Sequence, residues 1–417
     1  MSTQKKITIG LFGFGVVGEG IYQVLLATPS LNASIKKICI KNPAKRRNAP
    51  AALFTTNKND ILQDPEINLV VELIDNSEEA FKIVAAALNN KISVVSANKK
   101  MIAENLSALL QLQKENNVPF LYEAAVCGSV PIIRNLEEYY DNDLLQSISG
   151  IVNGSTNFIL TKMLECGLDY TTALQEAQRL GFAESNPALD VSGRDAANKL
   201  TILLLHAYGI ITKPQSILCK GINAIQALDA AVAKQKNCKI KLVANAVQVE
   251  NGTAAFVLPQ FVPAQSALYQ VANEFNGVVI KSKLADEQFL SGKGAGRFPT
   301  SSAVLSDIAA LRYDYRYEYR RLQRNTVDEL TTDFYLWLYV SFPKKFMHIK
   351  EDFIKIEDEC KKGERHYLIG AIHYETLRHA PWFTHGSVSV IAMPTVIINR
   401  AFMNKILVKN EKEMQVA

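Results

Sequence analysis

The chain has 417 residues, 48% of them hydrophobic and 21% charged, with 46 Lys and Arg against 41 Asp and Glu. That is the composition of an ordinary globular protein, and it excludes a disordered chain, a collagen and a disulfide scaffold. The formal charge of +5 is spread along the chain, which argues against nucleic-acid binding and for a weak attraction of anions such as a phosphorylated cofactor.

From Ile7 to about Phe120, short β-branched runs alternate with helical stretches: ITIGLF, a helix from Val17 to Leu26, KKICI, INLVVELI, a helix near Ala80 to Leu88, and ISVVSA. This rhythm predicts a parallel sheet covered on both faces. Gly13-Phe14-Gly15-Val16-Val17-Gly18 follows the first strand and opens a helix. In that context the spacing points to dinucleotide binding: a tight turn at the first glycine, room for a pyrophosphate at the second, close helix packing at the third. A glycine turn in another doubly wound domain is the competing reading. The second strand ends without an acidic residue, at Ile40-Lys41-Asn42, with Lys45, Arg46 and Arg47 behind it. Those cations favour NADP over NAD, unless the loop is plain solvated surface. Asp75-Asn76-Ser77 and Ser96-Ala97-Asn98-Lys99 close the next strands at the ends where open α/β sheets bind ligands.

From Leu144 to about Gly292 the pattern becomes a strand, three helices and the strand pairs KIKLVANAVQV, GTAAFVL and NGVVIKSK, an α+β domain. Its most unusual segment runs from Gly181 to Lys199 and carries Glu184, Asp190, Asp195 and Lys199 ahead of the apolar helix LTILLLHAYG. With a helix start near Gly193, Asp195 and Lys199 share one face. One reading is a surface ion pair with a capping box from Ser192 to Asp195. The other is a polar binding site, because charges gathered at a buried helix tip need something to bind.

After about Arg312 comes the aromatic and charged run Tyr313 to Arg324, which reads as a packed connector. DFYLWLYVSF, a helix around Ile349 to Cys360, HYLIGAIHYETL and VSVIAMP then predict a small third α/β unit. His206 reads as a satisfied core residue, and no histidine spacing suggests catalytic metal. The six cysteines form no CxxC pair, the N-terminus shows no signal-peptide core, and the uncharged stretch before Arg400 is broken by Pro381, Gly386 and Pro394. A cytoplasmic protein with no membrane span is expected.

The glycine loop, SANK, LYEAAVCGSVPII, GIVNGSTNFIL, EAQRLGFAESNPALDVSGRDAANKL and GKGAGRFPTSSAVLSDI, in this order, resemble homoserine dehydrogenase over about residues 5 to 312. The resemblance implies NAD(P)-dependent interconversion of L-homoserine and L-aspartate 4-semialdehyde, on the route to threonine, methionine and isoleucine. It implies a Rossmann dinucleotide-binding domain over 1–140, completed by about 293–312, an α+β catalytic and dimerisation domain over 141–292, and a divergent ACT-like unit over 325–417. Lys199 is then the acid/base at the substrate C4 oxygen, with Asp195 beside it, and Glu184, Asp190 and Asp195 belong to the substrate. Gly13, Phe14, Gly15, Val16, Val17, Gly18, Lys41, Arg46, Ser77, Lys99 and Gly294 fall to the cofactor, NADP in preference to NAD. Glu123, Val126, Gly128 and Val130 match positions that supply oxygens to a structural alkali ion, sodium or potassium. A homodimer is implied. Two departures stand out: Asp75-Asn76 where many relatives have two glycines, and Pro343-Lys344-Lys345 where the usual Pro-Gly of a threonine-binding ACT domain would stand. The alternative to an enzyme is a homologue that has lost catalysis and serves as an amino-acid sensor or scaffold.

Overall fold

The computed structural model describes residues 6–142, 144–324 and 328–398. They fall into two units, one drawn from 1–143, 201–214 and 290–327, the other from 144–200, 215–289 and 328–417. The division differs from the expected boundaries at two places: 201–214 group with the first unit, and the C-terminal residues group with the second.

In the first unit, β1 (Ile7–Phe12) leads into α1 (Val16–Ala27), followed by β2 (Ala33–Cys39), β3 (Phe54–Thr55), α2 (Asn59–Leu62), β4 (Leu69–Glu72) and α3 (Ser77–Asn89). Then come β5 (Ser93–Ser96), α4 (Lys99–Glu104), α5 (Leu106–Asn116), β6 (Phe120–Leu121), α6 (Ala124–Cys127) and α7 (Ile132–Glu138). The strands are parallel in the order β3-β2-β1-β4-β5-β6, the arrangement of a doubly wound dinucleotide-binding sheet. Ile9, Leu11, Val70, Val71, Val94 and Val95 are all fully buried. Helices on both faces explain why these strands read as continuous apolar runs without alternation. Strand order reverses between β1 and β4, so the crevice for a ligand opens beyond Phe12 and Glu72.

The second unit begins with β7 (Leu145–Ile151), α8 (Gly154–Glu165), α9 (Tyr170–Arg179), α10 (Ala188–Val191) and the first half of α11 (Arg194–Tyr208), whose residues from 201 on group with the first unit. It continues through β8 (Leu218–Cys219), α12 (Ala227–Gln235), β9 (Cys238–Val249), β10 (Gly252–Pro263), β11 (Phe275–Ser282) and β12 (Asp286–Lys293). The sequence then passes through α13 (Arg297–Leu311), which groups with the first unit. β13 (Tyr335–Pro343), β14 (Lys355–Lys362), β15 (Arg365–His373), α14 (Tyr374–His379) and β16 (Ser389–Ile398) complete the described chain.

One mixed sheet runs through these strands in the order β12-β11-β7-β9-β10-β16-β13-β15-β14, with β8 also paired to β10. β9 and β10 form a long hairpin closed at Glu250-Asn251, with Val249 opposite Gly252. The last four strands pair antiparallel in the spatial order fourth, first, third, second, the split βαβ pattern of a ferredoxin-like unit. They extend the sheet at β10, where Gln260 faces Ala392. Phe256 and Leu258 of β10 share a core with Leu336, Leu338, Val340 and Phe342 of β13.

The helix expected around Ile349 to Cys360 does not form. A 3-10 segment covers Lys344–Asp352 and β14 follows it. Apolar residues at 349, 353, 356 and 360 have helical spacing, but a turn at Gly363, with φ +59°, folds β14 back onto β15. Pairing along that hairpin outweighs local periodicity, and the charges of Glu357, Asp358, Glu359 and Lys361 suit an exposed sheet edge.

Candidate active site

The glycine loop turns at Gly13, whose φ of +92° and whose approach to Leu73 O leave no place for a side chain: a Cβ would lie 2.7 Å from that carbonyl. Gly18 packs the first turn of α1 against the loop, since a Cβ there would meet Gly13 O at 2.3 Å. At Gly15, the N-cap of α1, a Cβ would meet nothing within 4 Å. The open space therefore lies at the helix N-terminus, where unpaired amides and the helix dipole favour phosphate. Val16 is exposed and Val17 half-buried, with Val17 O accepting Ser301 Oγ of α13 at 3.3 Å. Phe14 is buried and meets the Phe54 ring edge-on at 5.2 Å.

Lys41 and Arg46 are exposed on the loop after β2. The neighbouring Arg47 is the one held in place. Its guanidinium lies 5.6 Å from the centre of the Phe54 ring and donates to Lys45 O at 2.7 Å, while its Nε is buried and without a partner. Arg47 over the Phe54 ring, which meets Phe14 edge-on, holds a cation near the glycine loop; the sequence offers Arg47 among the loop's cations without showing which of them is packed.

Beyond β4 and β5, Asn76 caps α3 by accepting Glu79 N at 2.8 Å, so Ser77 becomes the first residue of that helix. Asn98 caps α4 through Met101 N at 3.0 Å and also donates to Ile74 O at 2.9 Å, which sets Lys99 at the start of α4. Glu72 ties the two loops together. Its carboxylate accepts Ile74 N at 2.7 Å and Ser96 Oγ at 2.6 Å. Burial pushes the Glu72 carboxyl up to about 7, against the opposing effect of those hydrogen bonds.

α11 starts after Gly193, whose φ is +81°, and Leu200, Ile202 and Leu204, which point to different sides of it, are all fully buried. Asp195 and Lys199 are 4% and 7% exposed, too deep for the surface pair that spacing alone allowed. Lys199 Nζ lies 3.0 Å from Asp195 Oδ2 and donates to Val152 O at 2.5 Å. Asn153, the N-cap of α8, donates to Asp190 Oδ1 at 2.7 Å and to Asp195 Oδ2 at 2.8 Å. Asp190, Asp195 and Lys199 are therefore gathered around Asn153. Ser192 is turned away: its hydroxyl donates to Leu189 O at 3.3 Å. Glu184 is exposed in the loop before α10, where its main-chain carbonyl accepts Gln178 Nε2 at 3.0 Å. Sequence reasoning passed over Asn153, although an Asn between a strand and a helix signals a cap. Nothing local shows that its amide reaches carboxylates 37 and 42 residues away.

Glu123 is buried in the first unit, its two carboxylate oxygens accepting Ile133 N at 2.8 Å and Arg134 N at 2.9 Å at the start of α7. Burial and the neighbouring Asp307 push its carboxyl up to about 7. Val126 lies in α6, Val130 O accepts Ile132 N at 2.9 Å, and Gly128, with φ +57°, packs so tightly that a Cβ would lie 2.5 Å from Gly294 O. Among the described residues no cluster of three or more His, Cys, Asp or Glu could hold a metal. A cation here would rest on main-chain oxygens beside one carboxylate, a donor set that suits a hard ion.

A doubly wound sheet with an open helix N-terminus at its switch point, together with a buried lysine held by a carboxylate, defines an NAD(P)-dependent dehydrogenase. Residues 131–309 match the homoserine dehydrogenase family, and residues 13–123 match the homoserine dehydrogenase NAD-binding domain. The Bacillus subtilis homoserine dehydrogenase is 36% identical over 321 residues, which cover 75% of this chain and 74% of that protein. A homoserine dehydrogenase structure from Thiobacillus denitrificans superposes with a TM-score of 0.83 at 28% identity, covering 94% of this chain and 99% of that one. A hyperthermophilic archaeal homoserine dehydrogenase mutant in complex with NADPH gives a TM-score of 0.65 at 27% identity, over 75% of this chain and 100% of that one. The chain belongs to the homoserine dehydrogenase family.

Proposed function

We propose that the chain interconverts L-homoserine and L-aspartate 4-semialdehyde with Lys199 as proton donor and acceptor at the C4 oxygen. The observation that carries this reading is the pairing of Lys199 with Asp195 in a buried setting. An ammonium has three donors. Asp195 and Val152 O take two of them, and the third is left for the substrate oxygen.

When bound, the nicotinamide supplies or accepts the hydride. In reduction, Lys199 stabilises the oxygen as negative charge develops on it and then hands over a proton. In oxidation, Lys199 takes the hydroxyl proton and must first be neutral. Asp195 fixes the amine, Asn153 fixes Asp195, and Asp190 on the same amide offers a carboxylate to the substrate ammonium. Glu184, reaching in from the exposed loop, is the second such carboxylate in this reading.

The open space at Gly15 and the amides of α1 fit a pyrophosphate, and Gly13, Phe14, Val16, Val17 and Gly18 shape that loop. Arg47, with Lys41 and Arg46 beside it, supports a 2′-phosphate and hence NADP over NAD. Ser77, Lys99 and Gly294 are assigned to the same cofactor. Glu123 and the main-chain oxygens of Val126, Gly128 and Val130 would hold a sodium or potassium ion that ties α6 to α7. We read the active form as a cytoplasmic homodimer. Among the described residues no helix is long and apolar enough to cross a membrane. The ferredoxin-like strand order supports a divergent ACT-like C-terminal unit. The buried Lys199–Asp195 pair speaks against a homologue that has lost catalysis.

The test is steady-state turnover of the purified protein, followed by nicotinamide absorbance. Homoserine should be oxidised with NADP faster than with NAD, and aspartate semialdehyde reduced with NADPH. No turnover of either substrate would sink the proposal.

A further inference from the structure

The strip 219–222, between β8 and α12, carries a lysine that the site does not use. Lys220 is 6% exposed, and its ammonium donates to Phe383 O at 2.5 Å and His385 O at 3.1 Å, with its Nζ 5.6 Å from the Phe383 ring centre. Among the described residues no carboxylate pairs with it. The two carbonyls belong to the end of a 3-10 turn, Pro381–Thr384, in the C-terminal strands' own unit. That turn is anchored from the other side by Trp382, whose Nε1 donates to Asp352 Oδ2 at 2.6 Å.

The same strip is seated against the turn that joins α10 to α11. Ile222 N donates to Val191 O at 2.9 Å and Cys219 Sγ to Ser192 O at 3.3 Å. There is no slack in this seat: a Cβ at Gly221 would lie 1.9 Å from Val191 O, and one at Gly193 would lie 2.7 Å from Cys219 Sγ. Asp190 stands immediately before the turn, and Asp195 and Lys199 follow it on α11.

We infer that Lys220 is a positioning residue for the substrate: by clamping the 381–385 segment to the strip 219–222, it makes the placement of Asp190 and Asp195 depend on the C-terminal unit. A buried ammonium that donates to two carbonyls holds them by charge-assisted bonds, and removing it strands both oxygens and releases the strip. The strip then moves the turn, because close packing transmits displacement. This rests on the reading of Asp190 and Asp195 as substrate carboxylates.

The experiment uses the full chain with Lys220→Met, which keeps the bulk and removes the donor, with Lys220→Arg, and with Trp382→Phe, which loosens the same segment and leaves Lys220 in place. Lys220→Met should raise the homoserine KM about tenfold and lower kcat by a smaller factor through the displaced Asp195–Lys199 pair, while the NADP KM stays within about threefold. Lys220→Arg should recover part of the loss, and Trp382→Phe should shift the homoserine KM in the same direction, with the double variant less than additive. A folded Lys220→Met or Trp382→Phe enzyme with the parental homoserine KM overturns the inference, as does a loss spread equally over kcat and both KM values. If Lys220→Met does not fold, Trp382→Phe and Lys220→Arg decide by the same criterion. A parent inert towards homoserine would overturn the reading of the site and this inference with it, whereas an active parent with unshifted variants overturns the inference alone.

Discussion

Asn153 holds Asp195: the amide that caps α8 donates to the carboxylate Oδ2 at 2.8 Å, and the same nitrogen reaches Asp190 Oδ1 at 2.7 Å. Two carboxylates that would repel each other are brought together by one neutral donor, and the lysine beside them is fixed in turn.

Replacing Asn153 with Ala removes a cap worth about 1 kcal/mol and separates the carboxylates. We expect kcat/KM for homoserine to fall by about 10-fold to 100-fold, with melting temperature lowered by a few degrees. Asn153→Asp adds a third carboxylate to the cluster and should be the worse variant. Steady-state kinetics on the two proteins check the order.

Arg47 is braced on Phe54, which is braced on Phe14. Arg47→Ala should raise the KM for NADP about tenfold and leave that for NAD nearly unchanged, since only the phosphorylated ribose loses a partner. Equal changes for the two cofactors would mean that Arg47 supports the loop without touching the 2′ position.

Glu72 gives a pH dependence of stability. Its carboxyl is raised to about 7 from an ordinary value of 4.5, chiefly by burial. Between those values the folded state binds more protons than the unfolded one, so this group lowers stability as pH rises from about 4.5 to 7, by about 3 kcal/mol once pH exceeds 7. Glu72→Gln does not titrate. Its melting temperature relative to the parent should therefore climb between pH 5 and pH 8, and a constant difference across that range would contradict the burial effect.

The parallel sheet and its glycine loop were legible because their causes are local. β-branched runs, a helix after Gly15, and a Gly18 whose Cβ would strike Gly13 O all act within a few residues. Asp195 and Lys199 were legible as a pair through helical spacing, but their burial was not, since it depends on how α11 packs. Asn153 was missed because its role is made by distant partners, Asp190 and Asp195, and Arg47 was legible as a loop cation but not as the one packed on Phe54. The false helix around Ile349 to Cys360 has the same origin. Its apolar spacing is helical, and only the hairpin with β15, visible in the pairing of Ile356 with Gly370, overrules it.

The most direct test of the central claim is homoserine oxidation by Lys199→Ala beside the parent, with cofactor binding measured independently by fluorescence titration. The account predicts that the variant binds NADP as the parent does and loses at least about a thousandfold in kcat. A variant that keeps most of its turnover with cofactor binding intact would contradict it.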